Sequence, residues 1–400
     1  MREGWTETTL GEVAEVIGGG TPSTIVPEYW DGEIIWLTPT EVVAVDGKTI
    51  CDSERKLTAS GLASSGARLL PKGSVILTSR ASVGFVAISE CQLSTNQGFQ
   101  SLVPKGGTLP YFLMYWIQNN RHEFNSRAAG STFKEISKTN VKSIKLILPP
   151  LQEQKRIVDL ISSVDTYIDA LQHQADSARK SKNAILHEML SAGGDGWIET
   201  ILGEVVEINP ESTSDHPADK LIRYVDLSMV NIETGIAKDI APIPYVEAPG
   251  RARRVIRTDD VIVSTVRPYL KGFALVPNAY DNEVASTGFC VLRPVFGVST
   301  AQFIWSTVSS DAFVKYLIEN STGSNYPAVR PNDISNFPIQ LPTIAEQQHI
   351  SKISAGFEVS IQSSIDLIVK IKNLRSGLLS DLLSGEHEIL SSYDSLIGAA

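Results

Sequence analysis

The residues of this chain best suited to chemistry are cations gathered in small groups. RARRVIR, residues 251–257, places Arg251, Arg253, Arg254 and Arg257 together in an otherwise acidic stretch. Guanidinium groups grip phosphate through paired hydrogen bonds, and one can span the O6 and N7 of a guanine. The group therefore points to phosphate positioning, with a solvated loop as the plain alternative. Arg80 in TSRASVG and Arg267 in TVRPYLKG each follow a strand-like run and take equivalent places. Either suits a base or phosphate contact, or a surface ion pair. Lys271, beside Arg267, and Arg330 in PAVRPND join the set, and Lys134, Lys138, Lys142 and Lys145 form a similar group earlier. Asn96 and Gln97 in STNQGF could pair with adenine edges, although a turn before Gly98 explains them equally well.

Catalysis finds no comparable set. IGGGTPS, residues 17–23, lacks the G-K-[ST] of a phosphate-binding loop, so its glycines are expected to serve a tight turn. NPES, 209–212, is not the N/D-P-P-Y/F run of an adenine methyltransferase. Asp46 with Glu54, Arg55 and Lys56 imitates a nuclease carboxylate set at a spacing common by chance. The histidines at 122, 173, 187, 216, 349 and 387 make no metal pair at i, i+4. Cys51, Cys91 and Cys290 are odd in number and widely spaced, and are expected to form neither a disulfide framework nor a zinc knuckle. The expectation is a chain with no catalytic residues, no metal and no cofactor of its own.

Composition agrees with a recognition role only locally. A chain of 400 residues, 42% hydrophobic and 20% charged, should fold as more than one domain. Its first residues, MREGWTETTL, lack the apolar core of a signal peptide, and no run is long enough to span a bilayer, which suggests a cytoplasmic protein without a membrane partner. The net charge of −10 divides as 0 over residues 1–150, −2 over 151–195, −5 over 196–342 and −3 over 343–400. No segment is globally basic, so contact with nucleic acid must come from the local clusters.

The elements that would hold these clusters occur twice. GWTETTLGEV at 4–13 returns as GWIETILGEV at 196–205, and LPPLQEQKRI at 148–157 returns as LPTIAEQQHI at 341–350. The ends of the two copies match closely while their interiors differ, as expected of one scaffold carrying two different readers. Short Val- and Ile-rich runs such as SVILTS, GFVAI and DVIVSTV read as strands, with one helix expected over 111–127 and its counterpart over 301–320. Trp36 and Tyr224, at matching positions, suit core packing. Each copy closes with a heptad seam: Ile157, Ile161, Val164, Ile168, Leu171, Ala175, Ala178, Lys182, Ile185 and Met189, then Ile350, Ser354, Phe357, Ile361, Ser364, Ile368, Ile371, Arg375, Leu378 and Leu382. Lys182 and Arg375 interrupt the seams at equivalent places, which suggests a shared job in setting register or meeting a partner. The repeated phrase is a strand-to-helix hinge: prolines end the strand, Thr343 and Glu346 spell a capping box, and Glu153–Gln154 and Glu346–Gln347 are placed to bond backbone across it. Two such helices can bury their seams as an antiparallel pair, each roughly 50 Å long.

Residues 4–13, 130–157, 196–205 and 323–350, with IGGGTPSTIVPEYWDGEIIWLTPTEV, SRASVG and STNQGF, resemble the specificity subunits of type I restriction–modification systems. The resemblance implies an α+β chain with a quasi-twofold internal duplication and two α/β target recognition domains, 1–150 and 196–342. They are joined by helical spacers 151–195 and 343–386, which form an antiparallel coiled coil, and a tail, 387–400, follows. It further implies a non-catalytic subunit that reads a split, asymmetric site on double-stranded DNA. Two adenine-N6 methyltransferase subunits would dock on it, carrying S-adenosylmethionine, and restriction (translocase–nuclease) subunits would complete the complex. An adaptor that assembles partners without reading bases is the alternative, and the basic clusters and divergent interiors argue against it.

Overall fold

The computed structural model describes residues 2–394 apart from 131–133, 192, 195, 214–216, 218, 233–234 and 324. His216 and the last residues of the tail lie outside the described residues. The chain divides into two compact units, one of residues 1–170 with 367–400 and one of residues 171–366. Two helices of 41 residues, Leu151–Ser191 and Ile344–Ser384, each contribute to both units.

In the first unit, a five-stranded sheet runs in the order Ala14–Gly18, Gln100–Pro104, Val75–Leu77, Val86–Ser89, Thr49–Ile50. Alternate side chains of the central strand feed different cores, because successive residues of a strand face opposite ways. Val75 and Leu77 join Leu102, Phe112, Leu113 and Ile117. Ile76 points the other way, among Leu37, Leu70 and Phe99. Both faces are covered, which is why the strand reads as an unbroken apolar run. In the second unit the order is Val206–Ile208, Phe289–Pro294, Val261–Ser264, Phe273–Leu275. Val261 and Val263 again serve one core and Ile262 the other. Trp36 and Tyr224 are both buried, Trp36 in the strand Trp30–Leu37 paired in parallel with Ser94 and Tyr224 in the strand Tyr224–Val225 paired in parallel with Val284.

The repeated ends pair with each other inside each unit. Thr6–Thr9 runs antiparallel to Lys145–Leu148, with Thr6 opposite Leu148. Ile198–Ile201 runs antiparallel to Pro338–Leu341, with Ile198 opposite Leu341, in the same register. Each unit thus closes on itself immediately before its long helix begins.

Several expectations need correction. The single helices expected over 111–127 and 301–320 are each two: Pro110–Asn119 and Arg121–Ser126, then Ala301–Val308 and Asp311–Glu319. Asn120 turns its amide back onto the Trp116 carbonyl at 2.8 Å, and Ser310 caps the following helix through the Phe313 N–H, both polar breaks in apolar runs. The cysteines were also misjudged. Thr49–Ile50 pairs in parallel with Ile88–Ser89, which carries Cys51 and Cys91 to a Cα–Cα distance of 5.5 Å, and they form a disulfide. Nor do the glycines of IGGGTPS make a tight turn. A Cβ on Gly19 would lie 1.9 Å from the Asn96 carbonyl oxygen, and one on Gly20 would lie 2.3 Å from the Ala67 nitrogen. These glycines allow backbones to approach closely.

The heptad seams are largely buried, but the buried position slips near each helix end, from Ile185 to Leu186 and from Leu378 to Leu379. A helix of 3.6 residues per turn drifts against a 3.5-residue repeat. In the first unit Ile157 and Ile161 share a core with Leu379, Leu382 and Leu383, so the helices run antiparallel there.

Candidate nucleic-acid interface

Arg80 and Lys134 in the first unit, and Arg267, Lys271 and Arg330 in the second, sit at one turn in each unit, built on matching backbone hydrogen bonds. The Ser79 N–H donates to the Gly98 carbonyl at 2.7 Å and the Thr265 N–H to that of Gly288 at 2.8 Å. Ser79 then accepts from Ile136, and Thr265 from Val329, each at 2.9 Å. Two residues on, the Ala81 N–H donates to Lys134 at 2.9 Å and the Arg267 N–H to Pro327 at 2.7 Å. Ala81 and Arg267 share a left-handed backbone, at φ 62° and 50°. Arg267 therefore matches Ala81, and Arg80 matches Val266. The equivalence of Arg80 and Arg267 expected from sequence fails by one residue, and such an offset sends the two side chains out at different points of the turn.

The individual side chains differ in how much hydrogen-bonding capacity they have left. Arg80 is exposed, with only a 3.9 Å approach to Glu135. Lys134 and Lys138 are exposed, the latter opening the helix Lys138–Lys142. Asn96 accepts from the Gly98 N–H at 2.7 Å, which holds its amide in the turn and occupies one of the two lone pairs of its carbonyl oxygen. Gln97 accepts from the Thr21 hydroxyl. In the second unit Arg251 is exposed, while Arg253 donates to the Tyr245 hydroxyl at 2.8 Å. Arg254 keeps a buried Nε without a hydrogen-bond partner among the described residues. Arg257 is committed elsewhere. It pairs with Glu211, which also binds Arg293, and Arg293 in turn holds the buried Asp260 at 2.8 Å. Arg257 and Arg293 hold the Glu211 carboxyl below its ordinary range. Lys271 pairs with Asp311 at 3.1 Å, so it braces its turn from behind. Arg330 caps the helix Pro331–Ser335 through its backbone, with its side chain exposed.

No nuclease set forms from Asp46, Glu54, Arg55 and Lys56. Asp46 holds Arg121, Arg55 lies 3.5 Å over the Trp30 ring, and Lys56 pairs with Asp52. Burial pushes the Cys290 thiol up to about 12, far from a reactive thiolate.

Beneath the turns, one joint recurs in both units. The buried Gln154 accepts from the Leu109 N–H at 2.9 Å and donates to the carbonyls of Gly107 and Pro149, each at 2.9 Å. The buried Gln347 accepts from Thr300 at 2.9 Å and donates to Val298 and Pro342, each at 3.0 Å. One amide thus ties the hinge prolines, the first turn of the long helix and the start of the domain helix. The neighbouring glutamates diverge. Glu153 turns from backbone to Arg2 and Arg156, whereas Glu346 completes the capping box with Thr343.

Further along, Lys182 donates to Glu358 at 3.2 Å, and the Trp305 indole N–H donates to the same carboxylate at 3.2 Å. In the other unit Arg375 binds Asp165, which also accepts from the Tyr115 hydroxyl at 3.0 Å. Burial and the Asp165 carboxylate raise the Tyr115 pKa well above its ordinary value, keeping that hydroxyl protonated. Each bridge crosses the helix pair and is closed by an aromatic donor from the domain helix of the same unit.

Residues 2–178 match the type I restriction modification DNA specificity domain. The chain is 26% identical to the type I restriction enzyme MjaIX specificity subunit of Methanocaldococcus jannaschii, over 96% of this chain and 93% of that one. It is 27% identical to the EcoR124I/EcoR124II specificity subunit of Escherichia coli over 43% of this chain and 44% of that one. Residues 2–178 belong to the type I restriction–modification DNA specificity domain family, and the chain along its length is similar to specificity subunits of such systems. The fold agrees. The S subunit of the M. genitalium type I system superposes with a TM-score of 0.53 at 14% identity, over 96% of this chain and 97% of that one. A chain from a study of complex assembly in the type I system gives 0.59 at 19%, over 96% and 98%.

Sequence reasoning missed the aromatic side chains around the second turn. The Arg267 guanidinium lies 4.4 Å over the ring of Tyr326, and Tyr269 and Leu270 form the exposed tip of the 3₁₀ turn Pro268–Leu270. The signal was present in RPYLKG, since two large apolar residues between cations and next to a proline are unusual for a solvated loop.

Proposed function

We propose that this chain supplies DNA sequence specificity by reading the two halves of a bipartite, asymmetric site with its two recognition domains. Two adenine-N6 methyltransferase subunits holding S-adenosylmethionine dock on it, and restriction subunits complete the assembly in the cytoplasm. The chain's own residues position DNA and partners and perform no bond chemistry. The observation that carries this reading is one backbone scaffold, with one hinge joint and one order of four sheet strands, built twice around different side chains at matching turns. Among the described residues, no helix is long and apolar enough to cross a membrane.

Methylation mapping in cells carrying this chain with its partners tests the reading, repeated after residues 1–150 are exchanged for another first domain. A split adenine motif that changes in one half only is the expected result. A complex that assembles but methylates without a split motif, or whose motif survives the exchange, would return the adaptor reading to first place.

A further inference from the structure

The turns of the two units differ in length as well as in side chains. Leu77 pairs with Val86 across the first turn and Val263 with Phe273 across the second, which makes the second one residue longer. In the first turn Val83 is buried at 3% exposure and Phe85 is half-buried with the Arg121 guanidinium 4.1 Å over its ring, so Arg80, Ala81 and Ser82 stand at the tip without a large apolar side chain. In the second, left-handed backbone at Arg267 and at Lys271, both φ 50°, brackets the single 3₁₀ turn. Left-handed backbone is costly for side chains branched at Cβ or bulky, and it clusters where function needs it. Here it lifts Tyr269, 49% exposed, and Leu270, 60% exposed, out of the domain. Lys271 anchors the turn to Asp311 at 3.1 Å, so the tip is held rather than loose. Beside it Tyr326, 68% exposed, carries the Arg267 guanidinium on its face, and Arg267 Nε has no hydrogen-bond partner among the described residues.

Aromatic faces interleaved with arginine take up nucleic-acid bases by stacking, and an apolar side chain flanked by cations can enter a base step and unstack it. The segment around this turn is net acidic, yet Arg267 and Arg330 are exposed or half-exposed here, so local charge favours a polyanion. We propose that Tyr269 and Leu270 form a wedge entering the base stack of the half-site read by the second recognition domain, with the Arg267–Tyr326 pair gripping the strand beside it. The inference rests on the half-site reading above and adds an asymmetry to it: this chain itself opens a base step in one half-site and not in the other, apart from any flipping of the methylated adenines by the partner subunits.

The test uses the full chain assembled with its methyltransferase subunits, on duplexes carrying 2-aminopurine at successive positions other than the methylated adenines. The expected result is a several-fold fluorescence rise at one step of the second half-site and none in the first. Tyr269→Ala with Leu270→Ala should abolish the rise and weaken specific binding roughly tenfold to hundredfold. Leu270→Met should keep both, since it preserves an apolar wedge. Sequence-specific binding without any rise, or a rise indifferent to the alanine variants, overturns the wedge and leaves half-site reading in place. Absence of sequence-specific binding by the wild-type assembly overturns both.

Discussion

The first and second units share their joints and differ in what they hold out from them. Gln154 and Gln347 make the same three backbone hydrogen bonds, whereas the turns above them carry a small tip in one unit and Tyr269 and Leu270 in the other. The joints tolerate little change because a buried amide that loses a partner leaves other buried groups unsatisfied. The turns tolerate much, because their side chains face solvent or a ligand. Duplication followed by divergence of the interiors, the turns included, leaves two different surfaces on one frame.

The sharpest way to break the comparison is at the joints. Gln154→Ala or Gln347→Ala strips one buried N–H and two carbonyls of their partner and should cost about 3–5 kcal/mol. Urea unfolding of each variant should show the loss in both cases. A loss in only one would mean that the units are not built on the same joint.

The disulfide separates the units next, since the second holds only the buried free Cys290. Closing Cys51 to Cys91, 40 residues apart, should stabilise the first unit by roughly 2–4 kcal/mol. Reductant should therefore lower the melting temperature of the wild type and leave Cys51→Ser unmoved, and thiol titration should count the released pair.

A smaller effect falls on DNA. Arg80→Ala and Arg267→Ala should each weaken recognition of a different half-site by about 1–3 kcal/mol if they meet bases. Binding to duplexes altered in one half at a time reads this out. Equal loss on unrelated DNA would reassign both to phosphate. Smaller again is the helix bridge. Lys182→Glu should destabilise by about 1 kcal/mol, discounted for partial exposure, and Glu358→Lys in the same chain should restore most of it.

The smallest effect is on pH dependence. The Glu211 carboxyl titrates below its unfolded value because Arg257, and then Arg293, bind its ionised form. Its contribution is complete above the unfolded pKa and is lost as pH falls through the lower folded one. Acid titration of stability should therefore be shallower in Glu211→Gln.

Much of this was legible in order along the chain. The matched phrases announced the duplication, the apolar spacing announced the helix pair, and Thr343 with Glu346 announced the cap, all signals carried within a few turns of backbone. The seam is fully buried at about half of its positions, and near the helix ends Leu186 and Leu379 are buried in place of Ile185 and Leu378. The candidate cations were visible by type, but their availability was not. Nothing near Arg257 in sequence shows that Glu211 will neutralise it, and nothing near Lys271 shows Asp311.

By itself, then, the sequence determined a doubled scaffold, two hinged helices and the family they resemble. The tertiary structure alone decided that Cys51 meets Cys91, that Arg267 stands where Ala81 stands, and that Gln154 and Gln347, placed at their hinges by sequence, reach the loops at Gly107 and Leu109 and at Val298 and Thr300. Periodicity and capping are short-range and survive in the order of residues. Pairings across tens of residues depend on strand register and turn length, and a single inserted residue in a turn is enough to move them.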